Sequence, residues 1–319
     1  MYQFKNLSNN YIYVIGDIMI DHYIYGSCDR ISPEAPVQIV DMQREEYTLG
    51  GAGNVVKNLV SLGANTGIIS VCGQDEGLKI IVNGLEDLKV SDHKMIIDPS
   101  RSTTIKTRIV SNKHQLLRID KENKHYIEDS IADQIIAELN SRIKDIHIVI
   151  ISDYCKGVLS EKAIHTIINI CKEHGVKTIV DSKDPLLSKY NNADIIKPNK
   201  KEASIATGIK IVDDKTLGEA CRKIAGTTNC ETVIITLSEE GMAIFHEGVL
   251  TKIPTKALDI FDVTGAGDTV VAAIAFALLN DLSLIEACDF ANHAAAVVVA
   301  KAGSATATLN EINNFFAYN

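Results

Sequence analysis

Residues 146–152 read IHIVIIS, an apolar run of strand length with no regular polar alternation. Residues 128–142 before it and 161–174 after it have helical periodicity, and Gly175 stops the second helix. Residues 176–181 (VKTIVD) then read as another apolar strand. Apolar strands set between helices imply a parallel sheet covered on both faces, so the fold class is α/β. The pattern extends downstream through a short strand at 193–197 (ADIIK), a helix at 200–207 stopped by Gly208, and strands at 231–236 (ETVIIT) and 242–246. Two helices follow, at 266–279 and 284–301. Upstream, 11–16 (YIYVIG) and 66–73 read as strands, and 51–62 and 76–88 as helices. Residues 103–110 (TTIKTRIV) and 115–120 (QLLRID) alternate polar and apolar, and 37–41 does so weakly. Such strands suit a small separate sheet with one wet face.

Composition sets the outer limits. The chain has 319 residues, 46% hydrophobic and 23% charged, which excludes a disordered or collagenous chain. Acidic residues outnumber basic ones, 41 to 32, and Trp is absent, so nucleic acid is a poor partner. The longest unbroken apolar stretch, 270–279, is too short to span a bilayer, and residues 1–10 lack a signal-peptide core. A cytoplasmic location and no membrane partner are expected. The seven cysteines include no C-x-x-C pair, so buried reduced thiols are expected and no zinc site is assigned.

The strongest chemical signal is residues 262–269 (DVTGAGDT), directly before the apolar helix. Glycines there let backbone N–H groups of Gly265, Ala266 and Gly267 converge, and the helix dipole adds to their field, which makes an anion hole for a phosphoryl group. Asp268 stands at its mouth, where a base taking a hydroxyl proton belongs. A bare G-x-G-D would instead read as a helix cap behind a glycine turn. There is no G-x-x-x-x-G-K-[ST], and the third glycine of a dinucleotide fingerprint is missing.

Three further strings stand in line with it. Gly50, Gly51 and Asn54 open the first helix, and Asn54 offers a donor and an acceptor to sugar hydroxyls; a tight turn with an amide cap is the alternative. Asp17 and Asp21 follow the first strand, where acidic groups suit polyol hydroxyls, or Asp17 simply caps. Asn199 and Glu202, with Lys200 and Lys201 between, either form a capping box or lie near nucleotide phosphates, with Glu202 holding Mg²⁺ through water.

In this order, these strings resemble those of the ribokinase-like (pfkB) carbohydrate kinases over nearly the whole chain. Residues 30–37 (RISPEAPV), 115–120, 152–157 (SDYCKG) and 261–269 are more narrowly similar to the D-glycero-β-D-manno-heptose 7-phosphate kinases. Cys155 stands where that pattern usually has Ala, Ser182 where it has Pro, and the Lys200–Lys201 pair is more basic than usual. The resemblance implies one three-layer α/β/α kinase domain over 1–319, with a mostly parallel central sheet and a β-lid from segments near 18–49 and 103–120. It implies ATP and Mg²⁺ as cofactors, Asp268 as base, and phosphorylation of heptose 7-phosphate at O1 on the way to ADP-heptose. Asp17, Asp21, Gly50, Gly51 and Asn54 would hold the sugar. Asn199, Lys200, Lys201, Glu202, Thr236 and Asn292 would meet ATP. Lys156, Lys183, Arg108 and Arg118 are candidates for the substrate's own phosphate, against the alternative of solvated surface charges. A homodimer through the lids is implied too. The bifunctional members carry a C-terminal nucleotidyltransferase; no H-x-G-H signature occurs here, so a separate nucleotidyltransferase is expected to act later. The rivals are a kinase for another sugar or sugar phosphate, and a non-catalytic binding protein on the same fold.

Overall fold

The computed structural model describes Phe4 and residues 11–112, 114–257, 260–301 and 303–318. In chain order the elements are β1 (Tyr11–Gly16), β2 (Ile18–Ile31), β3 (Gln38–Gly51), α1 (Ala52–Ser61), β4 (Asn65–Cys72), α2 (Glu76–Asp87), β5 (Asp92–Ile97), β6 (Ile105–Ser111) and β7 (His114–Lys121). Then come α3 (Asp129–Arg142), β8 (Ile146–Asp153), α4 (Glu161–Glu173), β9 (Lys177–Ser182), β10 (Ile195–Ile196), α5 (Lys200–Thr207), α6 (Asp214–Thr228) and β11 (Thr232–Thr236). The chain closes with β12 (Met242–His246), β13 (Val249–Ile253), α7 (Ala266–Leu279), α8 (Leu284–Val299) and α9 (Leu309–Tyr318).

The main sheet runs β13-β12-β11-β10-β9-β8-β1-β4-β5, parallel except where β12 and β13 turn back antiparallel at one edge. Its strands are apolar on both faces because both faces are covered. Tyr13, Ile15, Val149, Ile151 and Val180 pack with α3, α4 and α6 on one side. Ile12, Val14, Ile148, Ile150 and Ile179 pack with α1, α7 and α8 on the other. The result is the expected three-layer α/β/α arrangement.

A second sheet, β3-β2-β6-β7, projects from the first, with only Asp17 between β1 and β2. Its register puts Asp21, Tyr23, Lys106, Arg108, Arg118 and Asp120 on one face. Strand alternation sends Leu117 and Ile119, more than half exposed, to the opposite face.

Several elements exceed the expectations from sequence. β2 runs 14 residues, and β5, α6, β13 and α9 carry too weak a pattern to read alone. In α6 only Leu217, Ala220, Cys221 and Ile224 make an inward apolar row, and two glycines dilute it. The strand expected at 193–197 shortens to Ile195–Ile196. Five of the cysteines are buried, Cys28 and Cys155 are half-buried, and all are free thiols.

Candidate active site

Strand order reverses around β1: β4 and β5 lie to one side of it, β8 to β11 to the other. At such a switch the loops leaving neighbouring strands diverge, which opens a crevice at their carboxyl ends. Asp17, after β1, and residues 153–158, after β8, meet there. Asp17 is 1% exposed; its Oδ2 accepts from the N–H groups of Tyr154 (2.8 Å) and Lys156 (3.0 Å), and its Oδ1 from Val158 (3.2 Å). Cys155 and Gly157 both have positive φ in that turn, so its amides cannot join a regular ladder and need a side-chain acceptor. The Asp17 carboxylate thereby fastens the 154–158 turn at the floor of the crevice. Burial, then repulsion from Asp153, pushes its pKa up, and the three N–H donors pull against that.

Asp268 lies in the first turn of α7, 6% exposed. Its Oδ2 accepts from Asn54 Nδ2 at 2.7 Å and its Oδ1 from the Tyr154 hydroxyl at 2.5 Å. Thr269 donates to Asn58 Oδ1 (2.8 Å) and Asn58 to the Asn54 carbonyl (2.8 Å), which locks α1 against α7. Burial foremost, then Asp181, raises the Asp268 pKa to about 6, while Asn54, Tyr154 and Lys183 restrain it. Asn54 is buried and its Oδ1 has no partner, an acceptor left for a hydroxyl donor.

The glycine loop departs in detail from its expected form. Gly265 has φ +79, and a Cβ there would stand 2.8 Å from Asn54 Nδ2. Gly267 is ordinary helix; the space beside it is open except for Lys197 Nζ, 3.9 Å from where its Cβ would be. The Ala266 N–H is turned onto the Val263 carbonyl (3.2 Å), where a turn closes behind Gly265 before α7 begins. The amides of Gly267 and Asp268 remain as first-turn donors, which have no intrahelical acceptor.

Gly50 and Gly51 serve close approach. A Cβ on Gly50 would stand 2.4 Å from Asp21 Oδ2, and Gly51, at φ +57, brings β3 against the Asp17 carbonyl. Asp21 pairs with Arg108 at 2.5 Å, so these two candidates neutralise each other. Asn199 and Glu202 do form the capping box, each at 2.8 Å. Glu202 Oε1 also accepts from Lys183 Nζ at 2.7 Å. Lys200 pairs with Glu240, and Lys201 is exposed on α5. Thr236 closes β11 and bridges to Asn199. Asn292 is buried on α8 and donates to the Pro254 carbonyl at 3.1 Å, which holds the end of β13 rather than facing outward.

The cations separate into two groups. Lys183 lies beside Asp181 and Glu202; burial opposes its charge, but these carboxylates and Asp268 keep its pKa above the usual lysine value. Lys197, not among the expected site residues, is 2% exposed and 3.1 Å from Asp181 Oδ1. A lysine closing an apolar strand at the carboxyl edge of a parallel sheet is its one visible sign in the sequence. The second group lies along the second sheet and the 154–158 turn. Lys156 pairs with Glu122 at 2.6 Å, and Arg118 grips Asp120 at 2.8 and 2.9 Å. Lys106, also absent from the expected site, joins them; burial, then Lys156, lowers its pKa, with Arg118 adding and Asp120 and Glu122 opposing. A lysine held among other cations marks a place where an anion is welcome. Lys183 thus lies at the β9 end of the crevice, whereas Lys156, Arg108 and Arg118 lie along the second sheet and the 154–158 turn. Among the described residues, no three His, Cys, Asp or Glu side chains gather to hold a metal.

A buried carboxylate at a helix N-terminus, beside a glycine turn and flanked by lysines, is the equipment of a phosphotransferase. The chain belongs to the pfkB family of carbohydrate kinases, whose model matches residues 9–311. It is 48% identical over 304 residues to a protein of Aliarcobacter butzleri named Bifunctional protein HldE, covering 95% of this chain and 64% of that one. It is 46% identical over 301 residues to the protein of the same name from Helicobacter hepaticus, covering 94% and 62%. The chain thus spans less than two thirds of the length of these relatives. In fold it is similar to phosphofructokinase-2 of Escherichia coli in complex with fructose-6-phosphate, with a TM-score of 0.80, 18% identity, and 96% and 98% of the two chains covered. It is also similar to Arabidopsis thaliana ribokinase complexed with ribose and ATP, with a TM-score of 0.75, 20% identity, and 97% and 99% covered. No helix of the described residues is long and apolar enough to cross a membrane.

Proposed function

We propose that the chain transfers the γ-phosphoryl group of ATP to O1 of D-glycero-β-D-manno-heptose 7-phosphate, giving heptose 1,7-bisphosphate for ADP-heptose synthesis in the cytoplasm. The observation that carries this reading is Asp268, held in the first turn of α7 between Asn54 and Tyr154. A pKa near 6 leaves it ionised at neutral pH and still basic enough to take a hydroxyl proton as the new bond forms. The open acceptor of Asn54 and the crevice behind it receive the sugar. The amides of Gly267 and Asp268, with Lys197 and Lys183, stabilise charge on the moving phosphoryl group.

The cluster of Lys106, Arg118 and Lys156 supports a sugar already phosphorylated at its far end, with Arg108 held beside it by Asp21. Bound Mg²⁺ would neutralise phosphate oxygens. It needs only one or two protein carboxylates, and Glu202, whose oxygens already accept from Asn199 and Lys183, would hold it through water. The second sheet then acts as a lid. Its exposed Met42, Leu117 and Ile119 support a homodimer formed through it. The nucleotidyl transfer that follows would rest with another domain or protein. The test is ATP turnover against a panel of sugars and sugar phosphates, with the product's phosphorylated position read by NMR. Heptose 7-phosphate should lead and gain its phosphate at C1; phosphorylation at another position would overturn the assignment.

A further inference from the structure

Tyr154 lies within the 152–157 string, and its hydroxyl donates to Asp268 Oδ1 at 2.5 Å across 114 residues of chain. Its backbone is equally placed: the N–H is fixed on Asp17 Oδ2 at 2.8 Å. Asp17 in turn ties down Lys156 and Val158, so the turn carrying Tyr154 has little freedom to swing. The Lys183 ammonium lies 5.7 Å over the tyrosine ring. We propose that Tyr154 is a positioning residue for the base: its hydroxyl holds the Asp268 carboxylate in its ionised form and aims the remaining lone pairs at the sugar hydroxyl, and Asp17 sets Tyr154 in place. This rests on Asp268 being the base.

The physical need is clear from what surrounds Asp268. From α1 it faces Asn54 and feels Lys57; from β9 it faces Asp181 and Lys183; Lys197 sits beside Asp181. Burial and Asp181 both favour the protonated acid, which cannot accept a proton. A donor on each carboxylate oxygen favours the anion. Tyr154 can only donate there, since burial first, then Asp268, pushes its own pKa well up.

Tyr154→Phe removes the hydroxyl and keeps the ring. The acidic limb of its kcat–pH profile should move up by about one unit. The rate should be about fivefold low near pH 6, about tenfold low well below it, and approach wild type at alkaline pH, with KM for ATP unchanged. A merely structural tyrosine would give a uniform loss at every pH. Should that variant fail to fold, 3-fluorotyrosine at position 154 keeps the side chain and strengthens the donor, and the limb should then move down. A limb that stays put in the variant that folds overturns the proposal. Asp268→Asn run alongside separates the cases: if it loses activity while the Tyr154 limb stays fixed, only the role of Tyr154 fails, and if it stays active, the base assignment itself fails.

Discussion

Asn54 and Asp268 meet side chain to side chain, Nδ2 to Oδ2 at 2.7 Å, although 214 residues separate them. The contact joins the start of α1 to the start of α7, so one amide serves the proposed base and keeps an unpartnered Oδ1 that the proposed function gives to the substrate. Asn54→Asp would set a second carboxylate against the first. The kcat of that variant should fall about 10–100-fold at neutral pH, as expected for losing a hydrogen bond to a charged group. Its acidic limb should move to higher pH, because like charges disfavour ionisation. An unshifted pH profile would remove Asn54 from the mechanism.

Asp268 carries a stability cost with a definite sign. Its pKa is 3.8 in the unfolded chain and about 6 when folded, so the folded state binds the proton more tightly. The stabilisation it contributes is present below about pH 3.8 and is lost as pH rises through about 6. At neutral pH the ionised carboxylate then costs up to about 3 kcal/mol. Asp268→Asn should accordingly raise Tm more at pH 8 than at pH 4.5, as read by calorimetry at both pH values. An equal change at both would mean that burial does not perturb this group.

The two glycines of the loop should respond differently. Gly265→Ala forces a side chain into left-handed backbone and onto Asn54, so stability should fall by about 1–3 kcal/mol together with kcat. Gly267→Ala sits in ordinary helix with open space, so stability should hold or rise by about 0.5–1 kcal/mol. Its methyl nevertheless enters the volume beside Lys197, and the KM for ATP or kcat should suffer. Denaturant unfolding paired with steady-state kinetics distinguishes the two.

The cations should divide by substrate. Lys106→Ala, Lys156→Ala and Arg118→Ala should each raise KM for heptose 7-phosphate and leave KM for ATP alone, since each charge-assisted bond contributes about 1.5–3 kcal/mol. Lys183→Ala, next to Glu202 and Asp268, should act on kcat or ATP instead. If Lys183→Ala changes only the sugar-phosphate KM, the division is wrong.

What is legible in the sequence follows from range. The apolar run in β8 and the DVTGAGDT string announce themselves within a few residues, because strand burial and a glycine turn before a helix are local. The roles of Tyr154 and Lys106 do not, because each gains its meaning from a partner on another element: Asp268 for one, Lys156 and Arg118 for the other. Asp17 is visible as an acidic residue after β1, but its three amide donors exist only because the β1/β8 switch brings the 154–158 turn onto it. Among the glycines, sequence cannot separate Gly265, which needs its positive φ, from Gly267, which is ordinary helix with room beside it.

Whether Asp268 is the base of a sugar-phosphate kinase is decided by kcat/KM for heptose 7-phosphate, measured for wild type and Asp268→Asn at saturating ATP. A loss of about 10²–10⁴-fold is expected in the variant, with the fold and ATP binding retained. Turnover near that of wild type in Asp268→Asn would contradict the assignment.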